Sequence, residues 1–203
     1  MTLVPGPRFT RAELESFNGA VVPDLLGPDV RLLFVGINPG LWTAAVQAHF
    51  ARRGNRFYPA LFLAGLIDRD IDASAGYSAA DRNHLLDRGI GITNLVRRAS
   101  ARADELTPDE LVAGATRLRN LVERVRPPVV AVLGVTAYRL AFGDRAVAVG
   151  RQPGDLAGAE CWVLPNPSGL NAHETVASLA VAYRQAGVAA GLVPADPSTE
   201  ASN

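Results

Sequence analysis

Short apolar runs alternate along this chain with stretches in which apolar residues recur every three or four positions. The short runs predict five strands, at residues 31–35, 91–96, 129–133, 146–149 and 161–164. The longer stretches predict helices at residues 11–17, after Asn55 through Leu66, from Ser78 to Leu86, from Thr107 to Val125, at residues 135–142 and from Ala172 to Gln185. Asn171 and Glu174 are expected at the N-cap and N3 positions of the last helix.

This alternation of strands and helices indicates the fold class. It predicts one α/β domain over residues 1–193, a three-layer sandwich whose mostly parallel central sheet of four or five strands is flanked by helices. The polar, proline-bearing segment 194–203 is expected to be a disordered tail. Ligands of such sheets bind outside the carboxyl ends of the strands. Loops 36–40, 93–98 and 165–171 are therefore expected to meet at one edge.

Composition narrows the function classes. Twenty basic and twenty acidic residues give a net charge of zero, which argues against coating nucleic acid or an anionic membrane by bulk charge. The chain has no apolar run long enough to cross a bilayer and no secretory signal, so we expect a cytoplasmic protein with no membrane partner. The single cysteine, Cys161, excludes an internal disulfide and a four-cysteine metal site.

The basic residues are all arginines, and the 203 residues contain no lysine. No side-chain amine is therefore available to form a Schiff base with a substrate. The three histidines, His49, His84 and His173, do not have the spacing of metal ligands. We expect no metal and no organic cofactor.

Two similar turn motifs follow predicted strands. Gly36-Ile37-Asn38-Pro39-Gly40 lacks the spacing of a dinucleotide-binding fingerprint and the Gly-Lys pair of a phosphate-binding P-loop. Taken alone, it and Asn166-Pro167-Ser168-Gly169 are typical of tight turns. Because both come directly after buried strands, their backbone N–H groups could also stabilise developing negative charge.

Four segments together resemble the mismatch-specific uracil- and thymine-DNA glycosylases, over about residues 30–187. They are Gly36-Ile37-Asn38-Pro39-Gly40-Leu41, Asn55-Arg56-Phe57, Gly91-Ile92-Thr93-Asn94-Leu95-Val96 and Leu164-Pro165-Asn166-Pro167-Ser168-Gly169-Leu170. The resemblance implies the uracil-DNA glycosylase fold and an enzyme that flips a damaged nucleotide out of DNA and cleaves the bond between base and sugar.

The resemblance also implies roles for residues of the predicted cleft. Asn38 would hold the attacking water through its amide oxygen, and the Ile37 N–H would meet a uracil carbonyl. Phe50 would stack on the flipped base, although a core aromatic is the alternative interpretation. The remaining substrate-binding residues implied are Gly36, Pro39, Thr43 and Asn94.

Residues 166–171, named here the wedge loop, would fill the gap left by the flipped nucleotide. Gly169 and the apolar Leu170 match the wedge itself. Asn166, Ser168 and Asn171 would contact the DNA, with a purely structural turn as the alternative for Asn166. Two arginine clusters flank the predicted site: Arg52, Arg53 and Arg56, and Arg97, Arg98 and Arg102. Arg53 and Arg97 are predicted to bind DNA phosphates, and a solvated surface is the alternative interpretation of both clusters.

The chain departs from the family at several positions. Trp42 and Thr43 stand where bacterial members have small residues, commonly serine, near the C5 edge of uracil. Asn94 matches the thymine-glycosylase side of the family, whereas some bacterial members have lysine there. Asn171-Ala172 replaces a serine–arginine pair. The preferred lesion therefore does not follow from the resemblance.

The function predicted is that of a monomeric, monofunctional DNA-repair glycosylase, nucleoid-associated in the cytoplasm. Its substrate would be double-stranded DNA with uracil or a mismatch, and uracil opposite guanine would be the leading case. Two alternatives remain. One is a catalytically weak protein that binds damaged or abasic sites, and the other is an N-glycosidase of free nucleosides, for which Leu170 would have no use.

Overall fold

Five strands form the central sheet of the computed structural model, which describes residues 7–195. The strands are β1 (Leu32–Gly36), β2 (Ile90–Asn94), β3 (Val129–Leu133), β4 (Gly150–Leu156) and β5 (Ala159–Leu164). Their order across the sheet is β2-β1-β3-β5-β4, in which four strands run parallel and β4 pairs antiparallel with β5. The predicted α/β fold with a mostly parallel sheet is confirmed.

Helices cover both faces of this sheet. They are α1 (Arg11–Glu15), α2 (Leu41–Val46), α3 (Phe57–Leu63), α4 (Ala79–Asp87), α5 (Pro108–Val125), α6 (Val135–Phe142) and α7 (Val176–Ala189). Thr10 and Thr107 form the capping boxes of α1 and α5, and Ser78 caps α4. These local starts agree with the sequence, because a capping box satisfies backbone N–H groups with side chains only three residues away.

The hydrophobic core lies on both sides of β1 and β3. Phe34 packs on one face against Phe57 of α3 and Tyr183 of α7. Its neighbour Val35 belongs to the opposite cluster, which includes Leu118 of α5. Successive residues of a strand point to opposite faces, so two adjacent residues serve the two halves of the core. With both faces covered, the carboxyl edge of the sheet is where loops can form a cleft.

The fourth strand differs from the prediction. A strand was expected at residues 146–149, but β4 begins at Gly150 and pairs with β5 through a hairpin at Ala157 and Gly158, both of which have positive φ. Of the expected run, Val147 is buried without belonging to a strand. Most of this edge strand is exposed, and its two buried residues, Gln152 and Leu156, are four positions apart, so it lacks an apolar pattern that would identify it.

The last helix also starts later than predicted. Thr175, rather than Asn171, is its N-cap, and Ser178, rather than Glu174, completes the capping box. Asn171 is instead hydrogen-bonded within the wedge loop. The short helix α2, next to the first motif, was not predicted. The predicted tail lies largely outside the described residues, as do residues 1–6 of the predicted domain.

Candidate active site

A cleft of about 410 Å³ opens at the carboxyl edge of the sheet. It lies where β1, β2, β3 and β5 end, so the loops after strands distant in sequence form its walls. Most residues implied by the resemblance line it: Gly36, Ile37, Asn38, Pro39, Thr43, Phe50, Asn94, Asn166, Ser168 and Leu170. Parallel pairing brings the ends of these strands to the same edge of the sheet.

The Asn38 amide is oriented by three acceptors. Its Nδ2 donates to Ser100 Oγ (2.8 Å) and to the carbonyl oxygens of Pro39 (3.2 Å) and Arg98 (3.3 Å). Ser100 Oγ in turn donates to the Arg102 carbonyl (2.6 Å), so it accepts from Asn38. Two carbonyls can only accept, which excludes the flipped amide. Among residues 7–195 no donor satisfies Oδ1 of Asn38, so this oxygen is available as an acceptor at the cleft.

A buried histidine orients the second cleft amide, that of Asn94. His49 Nε2 lies 3.0 Å from the Pro23 carbonyl, which can only accept, so Nε2 carries the ring proton. His49 Nδ1 then accepts from Asn94 Nδ2 at 3.3 Å. Burial lowers the pKa of His49, which keeps the ring neutral and Nδ1 an acceptor. The Asn94 amide is thereby held in one of its two orientations.

Gly36 provides the space beside this amide. A Cβ on Gly36 would lie 2.5 Å from Asn94 Oδ1 and 3.3 Å from Cζ of Phe50. Both groups therefore approach the backbone at the end of β1, where any side chain would displace them. The glycine of the first motif is required by this close approach, because its own φ is not in the left-handed region.

Phe50 is half-buried and stacks on Phe57 with ring centroids 4.1 Å apart. Its φ of 54° is left-handed, a strained conformation for an aromatic residue. Three hydrogen bonds fix the backbone of the preceding residue: the His49 N–H donates to Tyr77 Oη (3.2 Å), Tyr77 to Tyr58 (2.6 Å), and Tyr58 to the His49 carbonyl (2.8 Å). Burial raises the pKa of Tyr77 to about 12, so its hydroxyl keeps its proton and can donate.

Trp42 and Thr43, the two departures from the family pattern, have different positions. The Trp42 indole N–H donates to the Ser74 carbonyl (2.9 Å), and its ring packs edge-on against Phe9. Thr43 is buried and lines the cleft. Of the two, Thr43 is therefore the residue that affects the size of the cleft.

The wedge loop is stabilised by its own polar side chains. Asn166 Oδ1 accepts from the Ser168 N–H (2.9 Å), and Asn171 Nδ2 donates to the Asn166 carbonyl (3.1 Å). The Leu170 N–H donates to Ser168 Oγ (3.3 Å), while the Leu170 side chain is 79% exposed. The loop thus presents an apolar residue to solvent on a hydrogen-bonded turn.

Gly169 and Arg53 line a second groove, of about 300 Å³, beside the cleft. A Cβ on Gly169 would lie 2.7 Å from the Gly54 carbonyl oxygen, so the wedge loop packs directly on the backbone of the segment that carries Arg53. Asn171 lines neither the groove nor the cleft; its side-chain nitrogen donates within the loop, and its carbonyl accepts from Arg56. Arg97 is exposed and also lines neither.

The two arginine clusters do not act as uniform basic patches. Arg98 forms a bidentate pair with Glu110, and Arg102 pairs with Asp104. The Arg56 guanidinium donates to three carbonyl oxygens of the chain from Ser168 to Glu174. Arg52, Arg53 and Arg97 are exposed. Three of the six arginines are therefore engaged within the protein, and phosphate binding by Arg53 and Arg97 stays a prediction.

Sequence reasoning did not identify His49 or Ser100 as parts of the site, and it placed Arg56 in a cluster flanking the site without giving it an orienting role. Each orients a group implied by the resemblance, and each does so through a contact with a residue far away in sequence. The available signal was proximity: His49 precedes Phe50, and Ser100 lies in the segment directly after the Asn94 loop. Within residues 7–195, no group of three or more acidic, histidine or cysteine side chains could hold a metal ion. No helix in that range is long and apolar enough to cross a bilayer.

Comparison with known proteins places this chain in a family. The model of the uracil DNA glycosylase superfamily matches residues 23–186, which include every segment that lines the cleft. A solution NMR structure of a protein from Methanosarcina acetivorans, provisionally described as a uracil DNA glycosylase, is similar with a TM-score of 0.59 and 17% identity. The similarity covers 86% of this chain and 98% of that one, and at this identity it shows the fold. The chain belongs to the uracil DNA glycosylase superfamily.

Proposed function

We propose that the protein acts as a monomer on double-stranded DNA, excises uracil by hydrolysis and leaves an abasic site. The observation that carries this proposal is the Asn38 amide, whose nitrogen is held by three acceptors while its oxygen remains available at the cleft. An amide fixed in this way can position a water molecule without reorganisation during the reaction. Uracil opposite guanine is the preferred substrate, an inference that rests on the resemblance of both Asn-Pro motifs to mismatch-specific enzymes.

In the proposed reaction, the water held by Asn38 Oδ1 attacks C1′ of the flipped nucleotide. The C1′–N1 bond breaks and its electron pair leaves with the base as an anion, while the water loses one proton to solvent and keeps the other in the new C1′ hydroxyl. The transition state has oxocarbenium character in the sugar, so little nucleophilic strength is needed and positioning dominates. Lysine attack on the sugar is excluded because the sequence has no lysine.

Base selection in this proposal depends on Asn94 and Phe50. With one Nδ2 hydrogen donated to His49, Asn94 keeps its Oδ1 acceptor and its other Nδ2 hydrogen for the base. That pattern complements the N3–H donor and O4 acceptor of uracil, whereas cytosine has the reverse pattern. The Phe50 ring, backed by Phe57, would stack on the base.

The test is excision from matched oligonucleotides. Uracil would be placed opposite guanine, opposite adenine and in single strands, alongside duplexes with thymine, hypoxanthine or ethenocytosine opposite guanine. Products would be scored with and without hot alkali. We expect uracil release from the guanine-paired duplex, with strand breakage only after alkali, and no adduct trapped by borohydride.

The outcomes separate the alternatives. Binding to an abasic duplex without base release would indicate a damage-binding protein. Release of uracil from free deoxyuridine but not from DNA would indicate a nucleoside N-glycosidase. A borohydride-trapped adduct, from enzyme free of contaminating nuclease, would overturn the hydrolytic mechanism.

A further inference from the structure

We propose that Arg56 is a positioning residue that anchors the wedge loop to the wall of the cleft formed by residues 50–57. This inference rests on the proposed function. The Arg56 guanidinium donates to the carbonyl oxygens of Ser168, Asn171 (2.8 Å) and Glu174. Its backbone N–H donates to the Pro167 carbonyl (3.0 Å). A single residue thus contacts the loop on both sides of Leu170.

Hydrogen bonds inside the loop and those from Arg56 have different consequences. The bonds among Asn166, Ser168 and Asn171 fix the internal shape of the turn but do not fix its position relative to the cleft. Arg56 belongs to the opposite wall, about 110 residues earlier in the chain. Its bonds therefore determine where the exposed Leu170 lies relative to the base pocket.

The chemistry of the contact requires arginine. A guanidinium is planar and directs several N–H donors along fixed directions, so it can bind three carbonyls at once. A lysine has one nitrogen on a flexible stem and cannot reproduce this fork. The Nε of Arg56 is buried and has no partner among the described residues, so the two terminal nitrogens make the contacts.

Arg56 also connects the wedge loop to the stacking ring. The next residue, Phe57, is fully buried and stacks on Phe50 at a centroid distance of 4.1 Å. Asn55 Oδ1 accepts from the Phe57 N–H (2.9 Å), which holds this junction at the start of α3. The residue that positions the wedge is therefore bonded to the residue that supports the base platform. Leu170 and the Phe50 ring would therefore be held in fixed positions relative to each other.

The Arg56→Met variant tests the anchor, because it keeps the side-chain length and removes every donor. Arg88→Met is the matched control: the Arg88 guanidinium also donates to two loop carbonyls, those of Leu66 (3.0 Å) and Gly65 (3.3 Å), but it precedes β2 at the opposite edge of the sheet. Single-turnover excision would be measured on duplex and on single-stranded uracil. We expect Arg56→Met to lose about 10²-fold on the duplex and far less on the single strand, since misplaced groups cost rates of this order. We expect Arg88→Met to lose similarly little on both substrates.

The Arg56→Lys variant separates geometry from charge. It keeps the positive charge near the DNA but not the fork, so we expect it to remain defective on the duplex. Excision at the wild-type rate by Arg56→Lys would overturn the proposal in favour of simple attraction to phosphate. Equal losses by Arg56→Met on the two substrates would overturn it as well.

Hydrogen exchange of the free protein gives a readout that does not depend on activity. Peptides covering residues 168–174 should exchange faster in Arg56→Met than in wild type or Arg88→Met, because the loop loses its anchor. Unchanged exchange in these peptides would overturn the proposal. If wild type released no uracil from either substrate, the proposed function would fail, while the exchange result would still decide whether Arg56 anchors the loop.

Discussion

The two Asn-Pro motifs of this protein have the same dipeptide after a buried strand but use the asparagine differently. The side-chain nitrogen of Asn38 donates hydrogen bonds to Ser100 Oγ and to two carbonyl oxygens, and its oxygen stays available at the cleft. Asn166 uses its oxygen to accept from the N–H of Ser168, two residues later, and so closes its own turn. The first amide keeps an acceptor available at the cleft, whereas the second is engaged in its own turn.

The difference arises from what surrounds each motif. The segment after β2 contacts the first motif, where the Ser100 N–H donates to the Pro39 carbonyl (3.1 Å) and the Ser100 hydroxyl accepts from Asn38. The second motif meets the Arg56 guanidinium, which binds its main chain and leaves the asparagine side chain to the loop. The same dipeptide thus acquires different chemistry from its distant neighbours.

The largest effect is expected from truncating the two asparagines in turn. Asn38→Ala should lower single-turnover excision of uracil opposite guanine by about 10²- to 10⁴-fold, because it removes the group that is proposed to position water. Asn166→Ala should cost about tenfold or less, since it removes one turn hydrogen bond. Circular dichroism should show both variants folded. Equal losses in the two variants would contradict the division of roles.

Truncating the exposed Leu170 should affect excision from duplex and from single-stranded DNA differently. Leu170→Ala should lower excision from duplex DNA by roughly tenfold or more, because only a duplex has a gap to refill after flipping. Excision from a single strand should change little, whereas Asn38→Ala should impair both substrates. The measurement is the ratio of duplex to single-strand rates, and a ratio unchanged from wild type would remove Leu170 from the wedge role.

A smaller effect is expected from the hydroxyl that orients Asn38. Ser100→Ala removes one of three acceptors of Nδ2, so kcat should fall by roughly 2- to 10-fold, the effect of one hydrogen bond, with little change in KM. Thr116→Ala, which removes an exposed hydroxyl on α5, is the control and should leave kcat unchanged. A change in KM alone for Ser100→Ala would indicate a binding role instead.

The smallest effect concerns the ion pair behind Asn38. Two hydrogen bonds lower the pKa of Glu110 from its ordinary 4.5 to about 2: the one from the Arg98 side chain has the larger effect, and the one from the Thr107 N–H has the smaller. The contribution of this carboxylate to stability is therefore complete above pH 4.5 and is lost as the pH falls toward 2. Thermal unfolding of wild type and Glu110→Gln should differ slightly near neutral pH and converge near pH 2. The same convergence is expected for Arg98→Met, and a pH-independent difference would contradict the pairing.

Much of the fold could be predicted because its signals are local. The apolar run Val129–Leu133 is a buried strand, and Thr107 with Glu110 starts α5 as its capping box predicted. Convergence of the loops after β1, β2 and β5 followed from parallel topology. Where a strand is half-exposed, as in β4, the pattern is weak and the prediction was wrong.

The sequence by itself determined the layer architecture, the absence of lysine chemistry and the position of both Asn-Pro motifs at strand ends. These features depend on residue type, short-range periodicity and chain direction, all of which are present in the linear order. Only the tertiary structure decided which way the Asn38 and Asn94 amides face and where Arg56 donates its hydrogen bonds. An amide is nearly symmetric in shape, so its orientation depends on hydrogen-bond partners that folding supplies from 45 to 62 residues away.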